Sequence, residues 1–130
     1  MLYNNTVAIL GAGSSIGQHI AKNIAANYSL LLMDSSADKL NNLMQFFVDN
    51  HPTAKVEMIV CSKEASWEAD IIIIAADHAQ EQEAIAIKIN EVSTCKTVIQ
   101  IKDASSDMVS LQAILPYSKQ IVLISFLIFL

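Results

Sequence analysis

The sequence predicts an α/β fold: a three-layer doubly wound parallel sheet of six strands in the order 3-2-1-4-5-6. Three observations predict it. Short apolar runs alternate with longer segments that carry apolar residues at helical spacing. Residues 71–74 are four consecutive isoleucines, β-branched and without a polar face, as a strand covered on both sides requires. The first apolar run leads directly into a glycine turn and then a helix. Right-handed crossovers between successive parallel strands then favour the stated order.

The elements follow along the chain. Thr6 to Leu10 is the first strand, followed by Gly11-Ala12-Gly13-Ser14-Ser15-Ile16-Gly17. A helix starting near Ser14 or Ser15 places Ile16, Ile20, Ile24 and Tyr28 on one stripe. Ser29 to Met33 is the second strand and ends at Asp34. Ser35-Ser36 can cap a helix over Ala37 to Asn50, with Leu40, Leu43, Met44 and Phe47 inward; His51-Pro52 ends it. Lys55 to Val60 reads as a third strand and Cys61 to Glu68 as a short connection of one helical turn. Asp70 to Ala75 is the fourth strand, and Ala75-Ala76-Asp77-His78 its loop. Gln80 to Val92 is a helix with Ala84, Ile85, Ile89 and Val92 inward. Lys96 to Ile101 is the fifth strand. A helix capped by Asp103 to Ser106 runs over Met108, Leu111, Ile114 and Leu115 and stops at Pro116. Gln120 to Leu130 is a sixth strand with an apolar extension.

The stretch from Thr6 to Asp34 carries the chemistry. Strand, glycine turn, helix, strand and acid form the opening of a dinucleotide-binding βαβ unit. Gly11 permits a tight turn, and Gly13 lets backbone approach a pyrophosphate closely. The helix start offers unpaired N–H groups and a positive dipole end to that anion. Asp34 stands where a carboxylate accepts hydrogen bonds from an adenosine ribose and repels a 2′-phosphate, so NAD is expected over NADP. The third glycine falls at Gly17, one residue later than G-x-G-x-x-G requires, where Ile16 stands instead.

On these pieces the chain resembles the cofactor domain of NAD(P)-dependent oxidoreductases. VAILGAGSSIGQHIA, LLLMD, ADIIIIAA, KTVIQI and LQAILPYSKQIV are similar to segments of the 6-phosphogluconate dehydrogenase-like enzymes and deazaflavin-dependent NADP reductases. The resemblance implies a single NAD(P)-binding Rossmann domain over residues 1–130, with no substrate domain. It implies a phosphate loop of Gly11, Ala12, Gly13, Ser14, Ser15 and Ile16, a ribose site at Asp34 and Ser35, and a cofactor-passing loop of Ala75, Ala76 and Asp77. GAGSSIGQHIA is also similar to the glycine segment of short-chain dehydrogenases, whose spacing Gly17 fits better. Ser15 replaces their middle glycine, however, and their Y-x-x-x-K pair does not occur. Asp77-His78 stands where the first group has an apolar residue and proline.

The remaining residues give no catalytic assignment. Asp77 and His78 read as a solvent-facing helix start with Asp77 as cap, ahead of an acid–base pair. Lys102 and Asp103 read as a loop ion pair or cap. Trp67 is expected to pack over the sheet edge rather than stack on adenine, Cys61 to be a small buried hydrophobe, His19 to be exposed, and His51 to sit at a helix end.

Composition bounds the function. With 53% hydrophobic and 16% charged residues, the chain suits a sheet covered on both faces. A net charge of −5 and a pI near 4.9 argue against a nucleic-acid partner. Two cysteines form no framework and no zinc spacing appears, so a reducing cytoplasm and no metal are expected. The N-terminus lacks a charged region and cleavage site, so no signal peptide is expected. The apolar tail has about ten residues where a membrane span needs about 20. As an edge strand it would expose apolar groups, so association into a homo-oligomer, a homodimer in the simplest case, is expected through it. Three functions stay open: an oxidoreductase or its cofactor-binding part, a non-catalytic NAD(H)- or nucleotide-sensing module, and a folded remnant that binds nothing.

Overall fold

A computed structural model describes residues 5–102 and 111–124. Six strands form one sheet in the order β3-β2-β1-β4-β5-β6, all parallel. The strands are β1 (Thr6–Leu10), β2 (Ser29–Met33), β3 (Val56–Met58), β4 (Ile71–Ile74), β5 (Thr97–Lys102) and β6 (Lys119–Ile124). The helices are α1 (Ser15–Ile24), α2 (Ala37–Asn50), α3 (Ser62–Glu68) and α4 (Ala79–Ile89), the last continued by a 3₁₀ turn over Asn90–Val92.

β1 lies between β2 and β4, with Ala8 paired to Leu31 and Ile72. Side chains alternate between the faces. Val7, Ile9, Leu30, Leu32 and Ile73 meet Ala21 of α1 and Leu40, Leu43 and Phe47 of α2. Ala8, Leu10, Leu31, Ile72 and Ile74 meet Ala65 of α3 and Ile85, Ala86 and Ile89 of α4. Burying each large aliphatic side chain here contributes about 1.5–3 kcal/mol before ordering costs. Because both helix layers start at the carboxyl ends of the strands, the loops after β1, β2 and β4 converge there.

Several expectations are corrected. β3 is only three residues long, because it is an edge strand with one neighbour; Met58 and Val60 are exposed. Residues 62–68 form a full helix, α3, rather than one turn, since Ala65 and Ser66 bury against the sheet. In α4 the inward stripe begins at Gln82, and Ala84 is exposed. From Leu111 to Ser118 the chain makes turns rather than helix, although Leu111 and Leu115 are buried as expected. Asp103 to Ser106 and Met108, assigned to the cap and start of that helix, lie outside the described residues, as do positions 125–130 of the expected tail strand. Cys61, like Cys95, is exposed and not a buried hydrophobe.

Trp67 is also exposed, at 69%. It lies in the last turn of α3 beside the first residues of β1, β2 and β3, at the opposite end of the sheet from the glycine turn. Adenine stacking at a glycine-turn site is therefore excluded for it. Lys96 donates to the Trp67 carbonyl at 2.6 Å and to that of Ser66, closing the last turn of α3. Burial pulls the Lys96 pKa down, against the opposing pull of Asp70.

Candidate functional site

The loop between β1 and α1 is held by short-range necessity. Gly11 has φ +91°, and a Cβ there would lie 2.6 Å from the Ala76 nitrogen. No other residue combines that backbone conformation with so close an approach of the β4 loop. The N–H groups of Gly11 and Ala12 donate to the Met33 carbonyl at 2.8 and 3.0 Å, which fastens the turn to the end of β2.

Gly17 accounts for the late glycine. A Cβ on it would stand 2.3 Å from the Gly11 carbonyl oxygen and 2.9 Å from the Ala12 Cα. Its role is close packing of α1 onto the turn, the task of the third glycine in a dinucleotide fingerprint. Ser14 makes the other half of this contact. Its hydroxyl caps α1 by accepting from the Gly17 N–H at 2.9 Å. Its one proton lies within reach of the Ala75 carbonyl at 2.7 Å and the Gly11 carbonyl at 2.9 Å. A single buried hydroxyl thus joins the glycine turn, the helix start and the β4 loop.

Asp34 closes the site from β2. One carboxylate oxygen accepts from the Gly13 N–H at 2.7 Å, the other from the Ser36 N–H at 2.7 Å. A Cβ on Gly13 would stand 2.8 Å from that carboxylate and from the Lys39 Cβ. Gln18 donates to the Gly13 carbonyl at 2.9 Å. Ser36 caps α2 by accepting from the Lys39 N–H at 3.3 Å.

These parts surround a crevice of about 130 Å³ at the carboxyl ends of the strands. Of the expected binding residues, Gly11, Ser14, Asp34, Ser35, Ala76 and Asp77 line it. Gly13 lies against Asp34, and Ser15 is exposed at the helix start. The N–H groups of Ser15 and Ile16, in the first turn of α1, have no earlier turn to bond to. Ala12 and Ala75 are buried in the core, and the Ile16 side chain packs there too, so these three offer backbone only. The helix cap after β4 is His78, without a side-chain bond, rather than Asp77.

Ser36 and His78, both singled out in the sequence, line the crevice as well, whereas the sequence reading missed Lys39 and Glu81. It also missed Gln82. This fully buried amide donates to the Ala76 carbonyl at 2.9 Å and the Ile101 carbonyl at 2.8 Å, and its oxygen accepts from Gln100 at 3.0 Å. A glutamine at the first position of an otherwise apolar stripe was the available signal.

Two larger cavities, of about 390 and 520 Å³, lie at the amino ends of the strands. Neither touches the glycine turn. Volume alone would pick that end, but the first turn of α1 and an anchored acid lie at the other. Among the described residues, no group of three His, Cys, Asp or Glu is placed to hold a metal, and no helix is long and apolar enough to cross a membrane.

No protein-family model matches the chain, and no curated protein matches it in sequence. Solved structures match it in fold. An imine reductase from Myxococcus stipitatus, a variant in complex with NAD+, gives a TM-score of 0.70 at 9% identity, over 93% of this chain and 40% of its own. The imine reductase from the same organism with NADP+ gives 0.69 at 12% identity, over 90% of this chain and 39% of its own. A UDP-glucose dehydrogenase from Pyrobaculum islandicum gives 0.66 at 13% identity, over 92% and 35%. The chain therefore spans two fifths or less of the length of these proteins. The fold is that of the Rossmann-type α/β domains, and these structural neighbours are a dehydrogenase and reductases, the two imine reductases in complex with NAD+ or NADP+.

Proposed function

We propose that this chain binds a nicotinamide dinucleotide, as an oxidoreductase or the cofactor-binding part of one. The observation that carries the reading is the Asp34 carboxylate seated on the Gly13 N–H, beside a glycine turn with no room for a Cβ at Gly11, Gly13 or Gly17. Under this reading the first-turn N–H groups of Ser15 and Ile16 face the pyrophosphate. Asp34 and Ser35 meet the adenosine ribose, and Ala75 to Asp77 pass along the cofactor. The cofactor supplies hydride transfer; the residues of this chain hold it, orient it and exclude the wrong nucleotide.

NAD is the favoured form. A 2′-phosphate would approach a carboxylate held rigidly by two backbone donors, so Asp34 cannot swing away without breaking both bonds. The imine reductases are 6-phosphogluconate dehydrogenase-like, which supports that group for this chain; the deazaflavin-dependent type rests on sequence resemblance alone. The exposed run Ile121, Val122 and Leu123 on the edge strand β6 supports association between copies of the chain. An unchanged solution mass after deletion of residues 126–130 counts against association through the tail. A cytoplasmic setting rests on the cysteine argument above.

One observation favours the non-catalytic sensing module as a second reading. The buried polar side chains at the site, Ser14 and Gln82, are committed to holding loops together. Neither of these two side chains can then serve a ligand as acid or base.

The test is a thermal-shift titration with NAD, NADH, NADP, NADPH and ADP-ribose on wild type and Asp34→Ala. Ligand at a hundred times its dissociation constant adds about 2.7 kcal/mol of stability. A shift with NAD(H) that Asp34→Ala weakens supports the reading. No shift with any of the five removes it. Turnover of a carbonyl or imine compound with NAD(H) separates enzyme from module.

A further inference from the structure

We propose that Glu81 is a second ribose-reading carboxylate, which faces Asp34 across the crevice and with it rejects a 2′-phosphate. The inference rests on the dinucleotide reading above and adds a specificity determinant to it.

The two acids come from opposite walls. Asp34 follows β2, and Glu81 lies in the first turn of α4, which follows β4; β2 and β4 flank β1 on either side. Both line the same 130 Å³ crevice. Glu81 is half-buried there. The Ser35 hydroxyl, on the residue next to Asp34, donates to the Glu81 carboxylate at 3.5 Å. That is long for a hydroxyl donor, so the contact places Glu81 beside Ser35 without fixing it.

The chemistry of such a pair discriminates by hydrogen bonding and charge. An unmodified ribose presents two hydroxyl donors, and two carboxylates present matching acceptors. A 2′-phosphate replaces one donor by a dianionic acceptor between two anions. Lys39, on the rim, opposes this repulsion with a single exposed ammonium. Asp34 is fixed by the Gly13 and Ser36 N–H groups and cannot retreat, whereas Glu81 has only the long contact with Ser35. Removing the Glu81 charge therefore lowers the barrier to the 2′-phosphate and leaves the phosphate loop intact.

The experiment is isothermal titration of NAD+ and NADP+ into wild type, Glu81→Gln and Glu81→Lys at one fixed salt concentration. The expected result is a wild-type preference for NAD+. Glu81→Gln narrows it by about tenfold, mainly through tighter NADP+ binding, and Glu81→Lys narrows it further. The ratio within each variant cancels any loss of folded protein, and retained NAD+ binding shows that the variant is folded. If wild type binds NAD+ but the ratio is the same in both variants, the Glu81 assignment falls and the dinucleotide reading stands. A wild-type preference for NADP+ also overturns the assignment. If wild type binds neither nucleotide, the dinucleotide reading falls and this inference with it.

Discussion

The Asp34 carboxylate accepts from the Gly13 N–H at 2.7 Å, which couples the end of β2 to the glycine turn before any ligand arrives. With its other oxygen on the Ser36 N–H, the same side chain also braces the start of α2. Asp34→Asn tests both tasks. An amide has only one accepting oxygen, and its NH₂ group would meet a backbone donor. One of the two N–H groups then loses its partner. Because Asp34 is half-buried and water can reach it, the expected loss is about 1 kcal/mol, a few degrees in Tm. Thermal denaturation without ligand checks it. An unchanged Tm would mean that the carboxylate is not holding the loop.

Gly13 and Gly17 are expected to fail in different ways. A Cβ on Gly17 meets the Gly11 carbonyl at 2.3 Å, and that backbone cannot move without shifting α1 off the sheet. Gly17→Ala therefore costs about 1–3 kcal/mol and lowers Tm clearly. A Cβ on Gly13 meets the Asp34 carboxylate, held by the Gly13 and Ser36 N–H groups, and the Lys39 Cβ, fixed on the α2 backbone. Gly13→Ala breaks the Gly13–Asp34 bond and presses on α2 through the Lys39 Cβ, so it lowers Tm as well, and it lowers NAD(H) affinity more than Gly17→Ala does. Equal effects on both readouts in the two variants would overturn this division of roles.

The parts of this site that are close in sequence were readable in advance, and the parts closed by the fold were not. The strand order, the glycine turn and Asp34 follow from periodicity and local turn chemistry. Ser14, by contrast, meets the Ala75 carbonyl across 61 positions, and Ser35 meets Glu81 across 46. No local pattern announces such a pair. β3 was read too long because strand propensity does not say which strand lies at an edge with a single neighbour. Gln82 was passed over for Ala84 because a hydrophobic pattern ranks alanine above glutamine, and the Ala76 and Ile101 carbonyls that make the amide necessary lie in other elements.

Gln82 is expected to be the most costly polar side chain to replace. Leucine of similar volume would leave the Ala76 and Ile101 carbonyls and the Gln100 amide without their present partners in the interior. The expected loss for Gln82→Leu is about 3 kcal/mol. The loop after β4 should loosen first, seen as faster amide exchange around Ala75 and Ala76, while β1 and β2 stay protected. A loss spread evenly over the sheet would mean that Gln82 is merely part of the core and does not hold that loop.

The Lys63–Glu91 pair, 2.7 Å apart between α3 and the 3₁₀ turn after α4, has a defined pH window. The Lys63 hydrogen bond, with its charge, holds Glu91 below the ordinary carboxylate value of 4.5. Glu91 raises Lys63 above 10.5 in the same way. A carboxylate with a depressed folded pKa contributes stability that is present above its unfolded value and is lost as pH falls through the folded one. An ammonium with a raised folded pKa contributes below its unfolded value and loses the contribution as pH climbs through the folded one. The pair is therefore intact from mildly acidic to mildly alkaline pH and lost at both extremes. Both side chains are in solvent, so the effect is small and screened by salt. Glu91→Gln should lower Tm slightly at pH 7 in dilute buffer, where the Debye length is about 30 Å at 0.01 M. The difference from wild type should shrink in high salt and vanish as pH is lowered below the Glu91 titration. A difference that persists under both conditions would show that Glu91 stabilises this corner through packing rather than charge.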